Sequence, residues 1–134
     1  MNCPNCKQTD RFQPWEGEVE RAGVTFLARG DKCECGEILF DYEEAGRHSR
    51  IVADAIVERG IHSGAELKLV RKVAGLKATE LAALVGVRPE TVSAWETGKG
   101  ALPPTVAYVV ADLYERPRKA RARLEAIKAT RASA

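Results

Sequence analysis

Gly86-Val87-Arg88-Pro89-Glu90-Thr91-Val92-Ser93-Ala94-Trp95-Glu96-Thr97-Gly98-Lys99 reads as a turn, a short helix and a stop. Pro89 suits a first helical position and Gly98 suits a left-handed cap, so the helix is bounded at both ends. Val87, Val92 and Trp95 can turn inward together, which leaves Arg88, Glu90, Thr91 and Ala94 outward. A helix of about two turns with one apolar stripe is poor core material, and its outer face is free to be presented.

The neighbouring residues build a support for that helix. Ser63-Gly64-Ala65-Glu66 has the capping-box pattern, and Leu67, Val70, Val73 and Ala74 recur at helical spacing until Gly75. Lys77 to Val85 reads as a second helix, separated from the quoted one by a turn of three or four residues around Gly86 and Val87, the helix-turn-helix connection. Pro103-Pro104 opens a fourth helix with Val106, Val109, Val110 and Leu113 on one face. Residues 63–113 therefore resemble the Xre (Cro-type) helix-turn-helix family. That resemblance implies a recognition helix in the major groove, a homodimer on a palindromic operator of double-stranded DNA, and phosphate contacts from flanking residues. It also places Arg71 and Glu96 where the family keeps an internal ion pair. The family's usual Ser or Asn cap and Gln are replaced here by Lys77 and Ala78.

The DNA-binding residues expected on this face are Lys77, Arg88, Glu90, Thr91 and Lys99. Lys77 and Lys99 suit phosphate contacts; Arg88 suits either guanine or a phosphate; Glu90 can accept from cytosine N4, and Thr91 can touch a thymine methyl. Trp95 is expected in the core.

Composition divides the chain. Its 134 residues are 45% hydrophobic and 30% charged, which fits two small domains better than one large core. Residues 1–60 hold 8 Lys+Arg against 12 Asp+Glu, net −4, whereas residues 61–134 hold 13 against 7, net +6. No apolar run approaches the roughly 20 residues of a membrane span, and Met1-Asn2-Cys3 opens no signal peptide. A cytoplasmic protein with no membrane association is expected, and its cysteines are then not expected to form disulfides.

All four cysteines come early: Cys3-Pro4-Asn5-Cys6 and, 26 residues later, Cys33-Glu34-Cys35. Two close pairs across a loop are how a tetrahedral zinc site is assembled, so Cys3, Cys6, Cys33 and Cys35 are expected to hold one structural Zn2+ per chain. Four buried free thiols, or a redox pair of Cys33 and Cys35, are the other readings. Glu18–Ala28 reads as two short strands around Ala22-Gly23, Glu37–Tyr42 as another, and Phe12, Trp15, Phe26 and Phe40 as their packing. Few apolar residues are available there, so folding should depend on the metal. Glu43–Arg59 reads as a connecting helix ending at Gly60, followed by a hinge. His48 and His62 read as lone surface residues without chemical roles.

The expectation is thus an α+β chain. A zinc-binding domain with short strands spans 1–42, a connecting helix and hinge 43–62, an all-α helix-turn-helix bundle 63–116, and a basic C-terminal helix 117–134. That last helix, with Ala120, Leu124 and Ile127 on one stripe, has three readings: solvated, dimer-forming, or a DNA-backbone arm. Along nearly its whole length the order of parts resembles the MqsA (YgiT-type zinc finger) antitoxins. That family has two residues inside its second cysteine pair, where this chain has one. It reads bases with an Asn and an Arg at the positions of Glu90 and Ala94. The resemblance implies a non-enzymatic repressor of its own operon that pairs with a small toxin protein through the zinc domain. The alternative is a free-standing Xre regulator whose zinc domain binds another protein or senses zinc or oxidant. An enzyme is not expected, because four thiolates leave a zinc ion no open position.

Overall fold

In the computed structural model, which describes residues 1–133, three strands are followed by six helices. This is the expected α+β order. Ala134, the end of the expected C-terminal helix, lies outside the described residues. The chain divides into two compact units, 1–52 and 53–134, each treated below by itself.

In the first unit, β1 (Phe12–Arg21) and β2 (Val24–Cys33) form one antiparallel hairpin. The turn residues Ala22 and Gly23 both have positive φ, at 54° and 79°, as the tightest two-residue hairpin turn requires. Pairing then continues residue by residue from Arg21 opposite Val24 to Phe12 opposite Cys33. The strands are longer than the short pair expected from Glu18–Ala28. Pro14, Gly17, Gly30 and Asp31 are weak strand formers, but the turn sets the register and β1 is an edge strand where Pro is tolerated. The third strand shrinks the other way: β3 is only Ile38–Leu39, paired with Asp31 and Lys32. The expected Glu37–Tyr42 strand is cut short because the Asp41 carboxylate accepts the Glu44 N–H at 2.8 Å, capping the helix α1 (Tyr42–Arg59).

His48 corrects the sequence reading. It is not a lone surface residue but 5% exposed, its ring 4.8 Å from that of Phe26 and 4.6 Å from that of Phe40. Its Nε2 lies 2.7 Å from Glu44, one turn earlier on α1. Glu44 also accepts from the backbone N–H of Arg29 at 2.8 Å and from the Arg47 guanidinium at 2.6 and 2.8 Å. One carboxylate thereby ties β2 to α1. Of the four aromatic residues expected to pack this unit, Phe26 is buried, while Phe12, Trp15 and Phe40 are half-buried.

In the second unit, α2 (Gly64–Val73), α3 (Ala78–Val85), α4 (Pro89–Thr97), α5 (Pro104–Glu115) and α6 (Pro117–Ser133) follow the expected order. Leu67, Val70, Leu81, Val92, Val110 and Leu113 are almost wholly buried, and Trp95 is 7% exposed, in the core as expected. The Ser63 hydroxyl accepts from the Glu66 N–H, whereas Glu66 reaches back to the N–H of His62 rather than that of Ser63. At α3, Lys77 is the capping residue and not the first helical one; its side chain has no acceptor, so Glu80 receives the Lys77 N–H at 3.1 Å. Arg71 and Glu96 form the expected internal ion pair, at 2.6 and 3.1 Å, each side chain 7% exposed. The Arg71 guanidinium also donates to the Leu76 carbonyl at 2.7 Å, so one side chain joins α2, the α2–α3 link and α4.

Two predictions follow from these contacts. A β-carbon at Gly64 would stand 1.9 Å from the Trp95 carbonyl oxygen, so Gly64→Ala must push α2 from the end of α4. We expect a loss of about 1 to 3 kcal/mol in urea unfolding of the second unit. At Glu44, hydrogen bonds from Arg47 and from the Arg29 amide hold the carboxyl far below its ordinary value of 4.5. A depressed folded value means stability that is complete above pH 4.5 and lost as pH falls through the folded value. Glu44→Gln should therefore expose the β2 amides to faster exchange at neutral pH, with the gap from wild type closing on acidification.

Candidate metal centre and nucleic-acid interface

The hairpin brings the two cysteine pairs together. Cys3 and Cys6 lie on the N-terminal turn, Cys33 ends β2, and Cys35 lies on the turn that leads to β3. The turns are shaped by backbone bonds: the Lys7 N–H donates to the Cys3 carbonyl at 3.0 Å, the Gly36 N–H to the Cys33 carbonyl at 2.8 Å, and the Cys33 N–H to the Glu37 carbonyl at 2.7 Å. Gly36 has φ of 101°, a conformation that only glycine adopts easily.

All four sulfurs lie within 4.8 Å of one another, with Cys3 Sγ to Cys35 Sγ at 3.7 Å and Cys6 Sγ to Cys33 Sγ at 3.6 Å. A tetrahedral ion with metal–sulfur bonds of about 2.3 Å requires sulfurs about 3.8 Å apart, so the donor set fits a structural metal. The single residue between Cys33 and Cys35 is accommodated because Cys33 still belongs to the strand and Cys35 to the turn. The Cys6 N–H points to Cys3 Sγ at 3.5 Å, and the Asn5 amide to Cys35 Sγ at 3.7 Å.

Ionisation is unequal among these thiols. The backbone of Glu37, with help from Asn5 and the neighbouring thiols, brings Cys35 down to about 6. For Cys33 the Cys35 backbone pulls the same way, but burial and the thiols of Cys35, Cys6 and Cys3 push it up to about 12. Four thiolates this close repel one another, so complete ionisation needs a cation among them.

The second candidate site is the outer face around α3 and α4. Lys77 and Arg88 occupy the positions just before α3 and α4, and both are exposed, as is Lys99 just beyond the Gly98 cap. Gly86 and Gly98 have φ of 75° and 81°, so both helices of the pair end in left-handed glycines. Glu90 is exposed and Thr91 half-buried in the first turn of α4. Exposed Ser93, three residues after Glu90 on the same face, was passed over in the sequence reading; its i, i+3 spacing was the available signal. The Thr97 hydroxyl, in contrast, donates to the Ser93 carbonyl of its own helix at 2.9 Å. The α6 helix follows α5 directly, with Ala120 buried, Leu124 half-buried and Ile127 exposed, and Lys128 donates to the Ala83 carbonyl.

Two outcomes check this division. Stripping metal with a chelator, or replacing Cys3 by Ser, should abolish protected amides in β1 and β2 while α2 to α5 keep theirs. Amide exchange mapped along the chain measures both.

Residues 63–124 match the helix-turn-helix domain family. No curated protein matches the chain at a significant level. Among the described residues no helix is long and apolar enough to cross a membrane. The chain thus contains a helix-turn-helix domain, which supports a DNA-binding regulator, beside a four-cysteine cluster compatible with a structural metal.

Proposed function

We propose that this chain is a sequence-specific DNA-binding repressor that works as a homodimer on a palindromic operator, and that its cysteine cluster carries one structural zinc. The observation that carries the reading is α4: a helix pinned from behind by Trp95 and Arg71–Glu96, with an outer face of Glu90, Ser93 and Ala94 between the cations Arg88 and Lys99. A rigid face of one carboxylate and two small residues between phosphate-seeking cations suits entry into a major groove. Glu90 rejects sites that offer it no donor, so it contributes specificity by exclusion. The protein is not an enzyme on this reading, since four thiolates saturate a tetrahedral ion.

We further propose that the first unit binds a small basic protein, as an antitoxin binds its toxin, and that both act in the cytoplasm. Supporting this is one face of the hairpin, where Glu16, Glu18 and Glu20 alternate outward on β1 beside exposed Leu27 and Thr25 on β2. A purification of the chain from its own cells, with partner and metal measured in the same sample, tests the pairing. A small basic partner with one zinc per chain is expected; zinc without a partner would leave a free-standing regulator.

For DNA, the probe is the sequence enriched by the chain from a random duplex pool. Arg88→Ala should weaken binding by about 1 to 3 kcal/mol, unequally across sequences, if it reads a base. Lys77→Ala should weaken all sequences alike and lower the salt slope by about one. An equal loss for both variants on every duplex would reduce Arg88 to a phosphate clamp.

A further inference from the structure

Cys35 differs from the other three cysteines of the cluster. Cys3 and Cys33 are buried and Cys6 is half-buried, whereas Cys35 is exposed on the turn between β2 and β3. The one-residue spacing is the reason: Cys33 still lies in the strand, so the residue two further on projects from the turn with solvent on one side. A metal ligand open to solvent is the one that water or a competing chelator displaces first.

The side chain of Asn5 reaches that sulfur. Its amide nitrogen lies 3.7 Å from Cys35 Sγ, across 30 residues of sequence, and the backbone of Glu37 faces the same sulfur. Among the described residues it is the one side-chain nitrogen directed at any of the four sulfurs. Asn5 stands between Pro4 and Cys6 in the N-terminal turn, where the Cys6 N–H points to Cys3 Sγ and the Lys7 N–H donates to the Cys3 carbonyl. Its backbone is thus fixed by one cysteine pair while its side chain donates to the other.

We infer that Asn5 is a positioning residue for the metal: its amide N–H holds the exposed Cys35 thiolate among the four ligands and so sets how tightly the ion is kept. The inference rests on the structural-zinc reading above. Four thiolates around one divalent cation leave a net negative charge, and an N–H donor aimed at a thiolate offsets part of it. Buried Cys3 and Cys33 are held by the protein around them, whereas exposed Cys35 lacks that packing, so a hydrogen bond matters most there. The neighbouring Glu34 carboxylate cannot serve, being an acceptor already engaged by the Arg11 guanidinium at 2.8 Å.

The test compares the purified full chain as wild type, as Asn5→Leu and as Asn5→Asp. Asn5 is exposed, so neither change disturbs core packing. Leu removes the donor; Asp keeps the shape and turn preference of Asn but replaces the donor with an acceptor that repels the thiolate. Zinc affinity is read by competition with a chromogenic chelator, and iodoacetamide trapping with mass spectrometry reads which cysteine leaves the metal first. A loss of about 10- to 100-fold in affinity is expected for Asn5→Leu and a larger loss for Asn5→Asp, with Cys35 trapped first and faster in both. At saturating zinc both variants should keep the protected amides of β1 and β2. Wild-type affinity in both variants overturns the inference. So does wild-type affinity in Asn5→Asp beside a loss in Asn5→Leu, since Asn5 would then only shape the turn, and so does any other cysteine trapped before Cys35. Each of these leaves the zinc reading standing, whereas a wild-type chain that takes up no zinc removes both.

Discussion

The bond between Arg71 and Glu96 organises the helical unit. Arg71 lies near the end of α2 and Glu96 in the last turn of α4, and the guanidinium spends a further N–H on the Leu76 carbonyl. Burying two charges is costly unless every polar atom is satisfied, and this geometry leaves neither partner wanting. Because a bidentate pair has one low-energy arrangement, it specifies orientation as much as energy. The outer face of α4 is aimed by this pair together with the buried Val92 and Trp95.

The first unit solves the same problem of anchoring with different means. Its hydrophobic core is thin, so its order comes from one carboxylate and four sulfurs. Glu44 gathers an amide from β2, the Arg47 guanidinium and the His48 ring, which in turn spaces Phe26 and Phe40. At the other end of the hairpin the sulfurs meet at 3.6 and 3.7 Å, a spacing that suits a tetrahedral ion. In each unit polar or ionic linkage does part of the work that apolar burial alone is too small to do.

The helical half was largely legible in its residues, because each boundary had a local cause. Pro89 and Pro104 open helices, and Gly75, Gly86 and Gly98 close them with φ near 80°. The cysteine pairs were legible as a ligand set from spacing alone. His48 was not: its partners Phe26 and Phe40 are 22 and 8 residues away, and only the Glu44–His48 spacing on one helix face hinted at a contact. The hairpin was read too short, since propensity at Pro14 and Gly30 argued against strand while the register set at Ala22-Gly23 carried the pairing through them.

By itself the sequence determined the helix ends, the four candidate ligands and the inward Val92 and Trp95 of α4, because each depends on backbone sterics or periodicity within a few residues. Tertiary structure alone decided that Cys33 and Cys35 meet Cys3 and Cys6 despite their one-residue spacing, and that His48 is buried. Those facts depend on distances between residues far apart in the chain, which hairpin register and helix packing set and no local pattern encodes.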